Sequence, residues 1–266
     1  MKQLIFKIYR VYDTYFPLNR GKYLLGQILY LLFGNFLVKS ETGFYIEVMP
    51  HSLQDKMCLN VSYSDVDNKV LDEVVKLKEG ETFVDVGANI GLYSLIASSK
   101  VKNSGKVFAV EPSFREFKRL LSSITNNQKN NICSVNYALS NYEGTIMLSV
   151  SEGHSGLNKI VNGVTDSNKI MVPVSTFDSL LKGLNGNKNI DLIKIDVEGA
   201  ELLVIQGMSG HLHQHLIKKL IVEVTPKYLS EYGHNKEQLY DTMTDHGYKY
   251  KFKCDMWQYD EVFHLD

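Results

Sequence analysis

Residues 81–99 read "ETFVDVGANIGLYSLIASS", and the reading of this stretch decides the fold. "TFVDV" is a short apolar run suited to a buried strand, and "LYSLIASS" has the character of a helix. Between them "DVGANIG" packs an acid, two glycines and an asparagine into one turn, with the backbone bared by glycine. A strand, a tight turn and a helix in this order open a doubly wound α/β sheet. In such sheets ligands bind outside the carboxyl ends of the strands, and amides at the helix start hold polar or anionic atoms. Gly87 and Gly91, lacking side chains, would let a ligand approach the backbone closely.

The same grammar continues downstream. "KVFAV" is the next strand, followed by a helix over "SFREFKRLLSSITNN", whose start has capping-box spacing in Ser113 and Glu116. "NICSVNY", "DLIKIDV" and "KLIVEVT" supply further apolar strands, and "AELLVIQGM" is helix-like. "TIMLSV" and "KIMVPV" suggest an inserted hairpin beside the main sheet. After the helix "NKEQLYDTMTDHG", the segments "YKYKFKC" and "MWQYDEVFHL" close the chain as an antiparallel strand pair. The expected architecture is a mostly parallel sheet with helices on both faces. Upstream, residues 1–64 form an extension that would act as a cap or lid before the main domain at 65–266. Its pattern is helical to about Phe36, with a break at "FPLNRG", and "TGFYIEV" with "KMCLNVSYS" then reads as a strand pair.

Composition narrows the function. The 266 residues carry 29 basic and 30 acidic side chains, so no overall basic field exists to hold a nucleic acid by counterion release. Cys58, Cys133 and Cys254 are widely spaced, with no CxxC pair and no secretory pattern at the start, which leads to an expectation of reduced thiols in a cytoplasmic protein. "YLLGQILYLLFGNFLV", residues 23–38, is shorter than the roughly 20 residues of a membrane span. It reads as a buried or surface-docked helix, with weak membrane association as the alternative.

Spacing selects the ligand. The dinucleotide fingerprint is GxGxxG, whereas Gly87 is followed by Asn89 and Gly91, so the middle glycine that admits a pyrophosphate is missing. The second strand ends in Glu111, where a carboxylate can accept hydrogen bonds from both hydroxyls of a ribose. A nucleoside without a pyrophosphate is the expected occupant, which counts against the competing reading, a nicotinamide-dependent oxidoreductase.

The stretches "FVDVGANIGLYSL", "VFAVEPSFREFKRL", "NYALSNYEGTIML", "STFDSLL", "DLIKIDVEGAELLVIQGM" and "LIVEVTP" occur in the order seen in FkbM-family methyltransferases, which this sequence strongly resembles over roughly residues 65–260. The resemblance implies a Rossmann-like class I methyltransferase fold that uses S-adenosylmethionine. It assigns Asp85, Gly87, Asn89 and Gly91 to the methionine portion and nearby ribose, Glu111 to the ribose hydroxyls, and Ala138 to the adenine. It also implies methyl transfer to a hydroxyl of a sugar, a glycan or another small natural product. A cofactor-binding module without catalysis is the non-enzymatic alternative.

"IKIDVEGAE" supplies the candidate chemistry. Its strand should lie beside the first, so Asp196 emerges at the carboxyl edge close to the sulfonium, where it is also a candidate cofactor contact, with Glu198 just beyond at the mouth of the site. Methyl transfer to a hydroxyl needs the acceptor held in line and its proton removed. Glu198 or Asp196 is the expected group, with Lys194 and Glu223 in support; Lys194 shares a face with Asp196 and could reach the crevice. A divalent ion gathered by Asp196, Glu198 and Glu223 is the second choice. Glu201 is expected to favour the start of the following helix. His154 lies in the polar insert, and of "HLHQHL" only His211 and His215 would share a helix face, which leads to an expectation of a solvated segment and no metal site. Tyr228, Tyr232 and Trp257 are candidate pocket aromatics whose default role is packing.

Overall fold

The computed structural model describes residues 2–15, 19–62, 68–151, 159–160, 169–186, 188–250 and 256–265. The extension contains helices α1 (Lys2–Tyr15) and α2 (Asn19–Phe33), the strands β1 (Phe36–Lys39) and β2 (Tyr45–Val48), and helix α3 (Leu53–Asn60). Helix α4 (Lys69–Val74) leads into the main domain. There β3 (Thr82–Val86), α5 (Leu92–Val101), β4 (Lys106–Val110), α6 (Phe114–Asn126) and β5 (Ile132–Val135) form the first half. An insert follows with β6 (Ala138–Leu139), β7 (Gly144–Ser149), β8 (Lys159–Ile160) and β9 (Lys169–Ser175). The second half runs through α7 (Phe177–Asn185), β10 (Leu192–Ile195), α8 (Glu201–Gln206), α9 (Ser209–His213) and β11 (Lys219–Val224). It ends with α10 (Pro226–Glu231), α11 (Lys236–Asp245), β12 (Lys249–Tyr250) and β13 (Tyr259–His264).

Seven strands make the central sheet, in the order β12-β13-β11-β10-β3-β4-β5. The run from β11 to β5 is parallel, and β13 pairs antiparallel with both β11 and β12. The chain therefore steps outward from β3 to β5, then returns to lay β10 on the other side of β3. This reversal creates the switch point at which α/β sheets bind ligands. Val84 and Val86 face a core shared with Phe177, Leu202 and Met243. Phe83, on the opposite face, packs with Leu71 of α4 and Leu95 of α5, and the same cluster takes in Phe6, Tyr9, Leu29 and Ile46 of the extension. Helices thus cover both faces, as expected, and β6 to β9 form a separate four-stranded sheet.

The extension departs from its sequence reading in two places. Helix α2 stops at Phe33 because Gly34 adopts φ +67°, and residues 36–38, expected to continue it, belong to a strand paired with β2. The second strand expected over "KMCLNV" is instead helix α3. Ser52 caps it by accepting the Asp55 N–H at 3.2 Å, a contribution of about 1 kcal/mol. Asp55 is itself buried, accepting the Met49 N–H at 2.7 Å and pairing with the equally buried Arg119 of α6. Arg119 also donates to the Glu47 carbonyl, at 3.1 Å from Nε and 3.0 Å from Nη2, so one guanidinium fastens the extension to the main domain. The Ser113–Glu116 capping box is also absent. The Ser113 hydroxyl donates to the Glu116 carboxylate and caps no helix amide.

Candidate active site

The turn after β3 is built by backbone geometry. Gly87 has φ +79°, and a Cβ placed there would lie 1.9 Å from the Asp196 carbonyl oxygen, so no side chain fits where β3 and β10 end together. Gly91, at φ +92°, starts α5, and a Cβ on it would press into Leu120. Both glycines are thus required by the packing of the turn. Gly87 also lines the adjoining cleft, whereas Gly91 is not among its lining residues. Asn89 takes φ +51°, a conformation asparagine tolerates.

Glu111 stands at the end of β4 with 5% of its surface exposed. Its carboxylate accepts the Asn89 N–H at 2.8 Å and the Ser113 N–H at 2.9 Å, one on each oxygen. Asn136 donates to the Glu111 and Pro112 carbonyls and so braces the turn that carries the acid. Burial, followed by the nearby Glu116, pushes the Glu111 carboxyl up to about 8. Beside it, Val110, Ala138, Leu139 and Leu148 give the cleft an apolar wall, with Tyr137 at the rim. The cleft encloses about 830 Å³, including its open solvent.

Asp85, Lys194 and Asp196 form a chain of charges at the β3–β10 seam. Lys194 Nζ lies 2.9 Å from Asp196 and 3.7 Å from Asp85, and both Lys194 and Asp85 are buried. Ser94 of α5 donates to Asp85 at 2.6 Å. Burial raises the Asp85 carboxyl above its ordinary value, opposed by Lys194. The two carboxylates hold Lys194 in its protonated form, outweighing the opposing effect of burial, which is the largest single influence on it. Lys194 and Asp85 are absent from the cleft lining, whereas Asp196 reaches it. The lysine therefore acts on the site through Asp196, and the direct reach into the crevice expected of it is not observed.

Glu198 adopts φ +55°, unusual for a residue with a long side chain. This turn carries it to the cleft beside Glu223 at the end of β11, and carboxylate oxygens of Asp196, Glu198 and Glu223 all lie within 4.8 Å of one another. Burial, then the charge of Asp196, pushes Glu223 up to about 9, although Gln258 donates to it at 2.7 Å. Asp260, opposite Glu223 on β13, is raised to about 6 for the same two reasons. Glu201 serves the helix start, accepting the Gly199 N–H at 2.9 Å and the Val197 N–H at 3.3 Å.

The remaining candidates lie elsewhere. His211 is a core residue paired with Asp178, not part of a solvated segment, because α9 turns it against Phe177. No histidine joins a group that could hold a metal among the described residues. Trp257 is 77% exposed, and Gly199 is closed over by the Tyr228 backbone carbonyl and the Tyr232 ring. His154 and Cys254 lie outside the described residues. Sequence reasoning missed Gln54 and Gln258, which line the cleft from the extension and from the segment before β13. Neither carries a local motif; Gln258 reaches Glu223 only through the β11–β13 register.

Comparison with known proteins fits this geometry. Residues 85–250 match the methyltransferase FkbM domain. A hexuronic acid methyltransferase, AglP, from Haloferax volcanii is 30% identical over 161 residues, which cover 60% of this chain and 61% of that protein. The chain therefore spans less than two thirds of that relative. Methyltransferase sdnD from Sordaria araneosa is 27% identical over 57% of this chain and 69% of its own length. Among solved structures, a SAM-dependent methyltransferase from Aquifex aeolicus aligns at TM-score 0.42 and 16% identity, covering 74% of this chain and 88% of that one, a likeness too loose to argue from. With the matched domain filling more than half of its length, this chain belongs to the FkbM methyltransferase family.

Proposed function

We propose that the protein is an S-adenosylmethionine-dependent O-methyltransferase acting on a hydroxyl of a sugar, a glycan or another small natural product. The observation that carries this reading is the division of one cleft into two chemically different ends. At the β4 end, Glu111 is held rigid by two amides beside an apolar wall. At the β10–β11 end, three carboxylates converge.

The first end fits a nucleoside. Each Glu111 oxygen accepts one amide N–H and keeps capacity for a second donor, as two ribose hydroxyls require. Ala138 and Leu139 would flank the base, Gly87 and Asn89 would face the sugar and the amino-acid portion, and Asp85 with Gly91 would support the turn from behind. When bound, S-adenosylmethionine supplies an electrophilic methyl group on a sulfonium. Asp196 engages the Lys194 ammonium. Glu198, which reaches the cleft beside Glu223, would orient the acceptor hydroxyl and take its proton, with Glu223 sharing that proton across the cluster. The sugar hydroxyl as acceptor is supported by the likeness to a hexuronic acid methyltransferase.

Calorimetry with S-adenosylhomocysteine, paired with labelled methyl transfer into an extract of the source cells, tests both halves. Absence of binding sinks the cofactor, and binding without label in any hydroxyl-bearing product sinks the acceptor. A second reading has Asp196, Glu198 and Glu223 gather a divalent cation, for which their 4.8 Å grouping is the support. Under the first reading, chelation leaves the rate unchanged.

A further inference from the structure

We infer that the helical pair α1–α2 is a docking surface for an anionic phospholipid membrane, on which the protein rests without crossing. Leu4, Ile8, Val11 and Tyr15 recur at helical spacing on α1, each at least 60% exposed, while the opposite face buries Phe6 and Tyr9 in the core. Helix α2 repeats the arrangement: Leu24, Ile28 and Leu31 point outward and Leu29 inward. Such faces need cover, because scattered apolar residues are ordinary on a surface but aligned stripes on neighbouring helices are not.

Charge identifies the cover. Residues 1–39 contain six basic side chains and one acid, Asp13, in a chain whose formal net charge is −1. That acid is paired with Lys56 at 2.7 Å, which removes it from the balance. The exposed Lys7 stands beside the α1 stripe. An apolar stripe with Lys7 beside it, in a segment whose net charge is positive, matches the interface of a bilayer bearing anionic lipids, where the alkyl region takes the apolar side chains and the headgroups take the cations. Among the described residues no helix is long and apolar enough to cross a membrane, so the association is peripheral. A groove lined by Leu24, Ile28, Leu31 and Met49 runs from α2 to Arg115 at the start of α6, two residues from the amide that holds Glu111.

The test is sedimentation of the full chain with vesicles of phosphatidylcholine alone and of phosphatidylcholine mixed with phosphatidylglycerol. The wild type should bind the mixed vesicles at least about tenfold more tightly, and added salt should weaken that binding. The double variant Ile8→Glu, Leu31→Glu should lose at least about tenfold in affinity with an unchanged melting midpoint, since both positions are exposed. Should that variant misfold, Lys7→Glu and the salt series carry the same test. Equal binding to both vesicle types, or no binding to either, overturns the proposal. So does a concentration-dependent dimer in light scattering that the double variant dissolves while vesicles capture nothing, because the face then belongs to a second copy.

Discussion

The two ends of the cleft handle negative charge in opposite ways. At the β4 end a single buried carboxylate, Glu111, is met by two backbone amides. At the β10–β11 end Asp196, Glu198 and Glu223 crowd together, with the Lys194 ammonium lying against Asp196. A site with its donors already in place suits a ligand that arrives in one fixed pose. A site with repelling acids holds basicity ready for a proton that must be moved. Under the proposed function the first end binds and the second reacts, and substitutions at each should separate the two.

The largest effect is expected at the reacting end. Glu198→Gln should lower kcat by about a thousandfold, within the range of general-base removal, while leaving S-adenosylhomocysteine affinity within about twofold. Steady-state kinetics beside calorimetry would check this, and a matched loss of affinity would erase the distinction between the ends. Lys194→Met comes next. It leaves Asp85 buried without its cation and Asp196 unscreened, so thermal or urea unfolding should show a loss of about 3 kcal/mol, the lower range for breaking a buried ion pair.

At the binding end, Glu111→Ala should weaken S-adenosylhomocysteine by at least about tenfold, or about 1.4 kcal/mol, with little change in kcat at saturation. Unaltered affinity would remove the ribose assignment. The smallest effect is on pH. Because burial raises Glu111 from 4.5 to about 8, the cofactor-free fold favours its protonated form. Its contribution to stability is fully present below 4.5 and is lost as pH rises through about 8. Glu111→Gln should therefore abolish this portion of the pH dependence of the melting midpoint in the cofactor-free protein. Cofactor affinity of the wild type should rise over the same window, since two hydroxyl donors favour the ionised carboxylate.

The sequence made the central sheet legible because each of its signals is local. "TFVDVGANIG" contains its own strand, turn and helix start, and "AVEP" ends its strand on the acid that faces that turn. Asp196 and Glu198 were legible for the same reason. The extension was less so. "KMCLNV" alternates like a strand, yet it coils because Asp55 meets Arg119, a partner 64 residues away. Lys194 illustrates the same limit within the site. Strand alternation puts it on the face of Asp196, but only the pairing of β10 with β3 shows that Asp85 takes its other side and keeps it from the cleft. His211 looked solvated in a run of histidines and is buried by a contact with Asp178 that no spacing reveals.

The missing side chain at Gly87 has a consequence for how such an enzyme could change its preference. With the Asp196 carbonyl filling the space where a Cβ would go, the floor of the cleft has no room for adjustment. Selection for a new acceptor would have to work on the walls above it, at Gln54, Tyr137 and Gln258, which come from three separate parts of the chain. The donor's seat stays fixed while the guest list is rewritten around the rim.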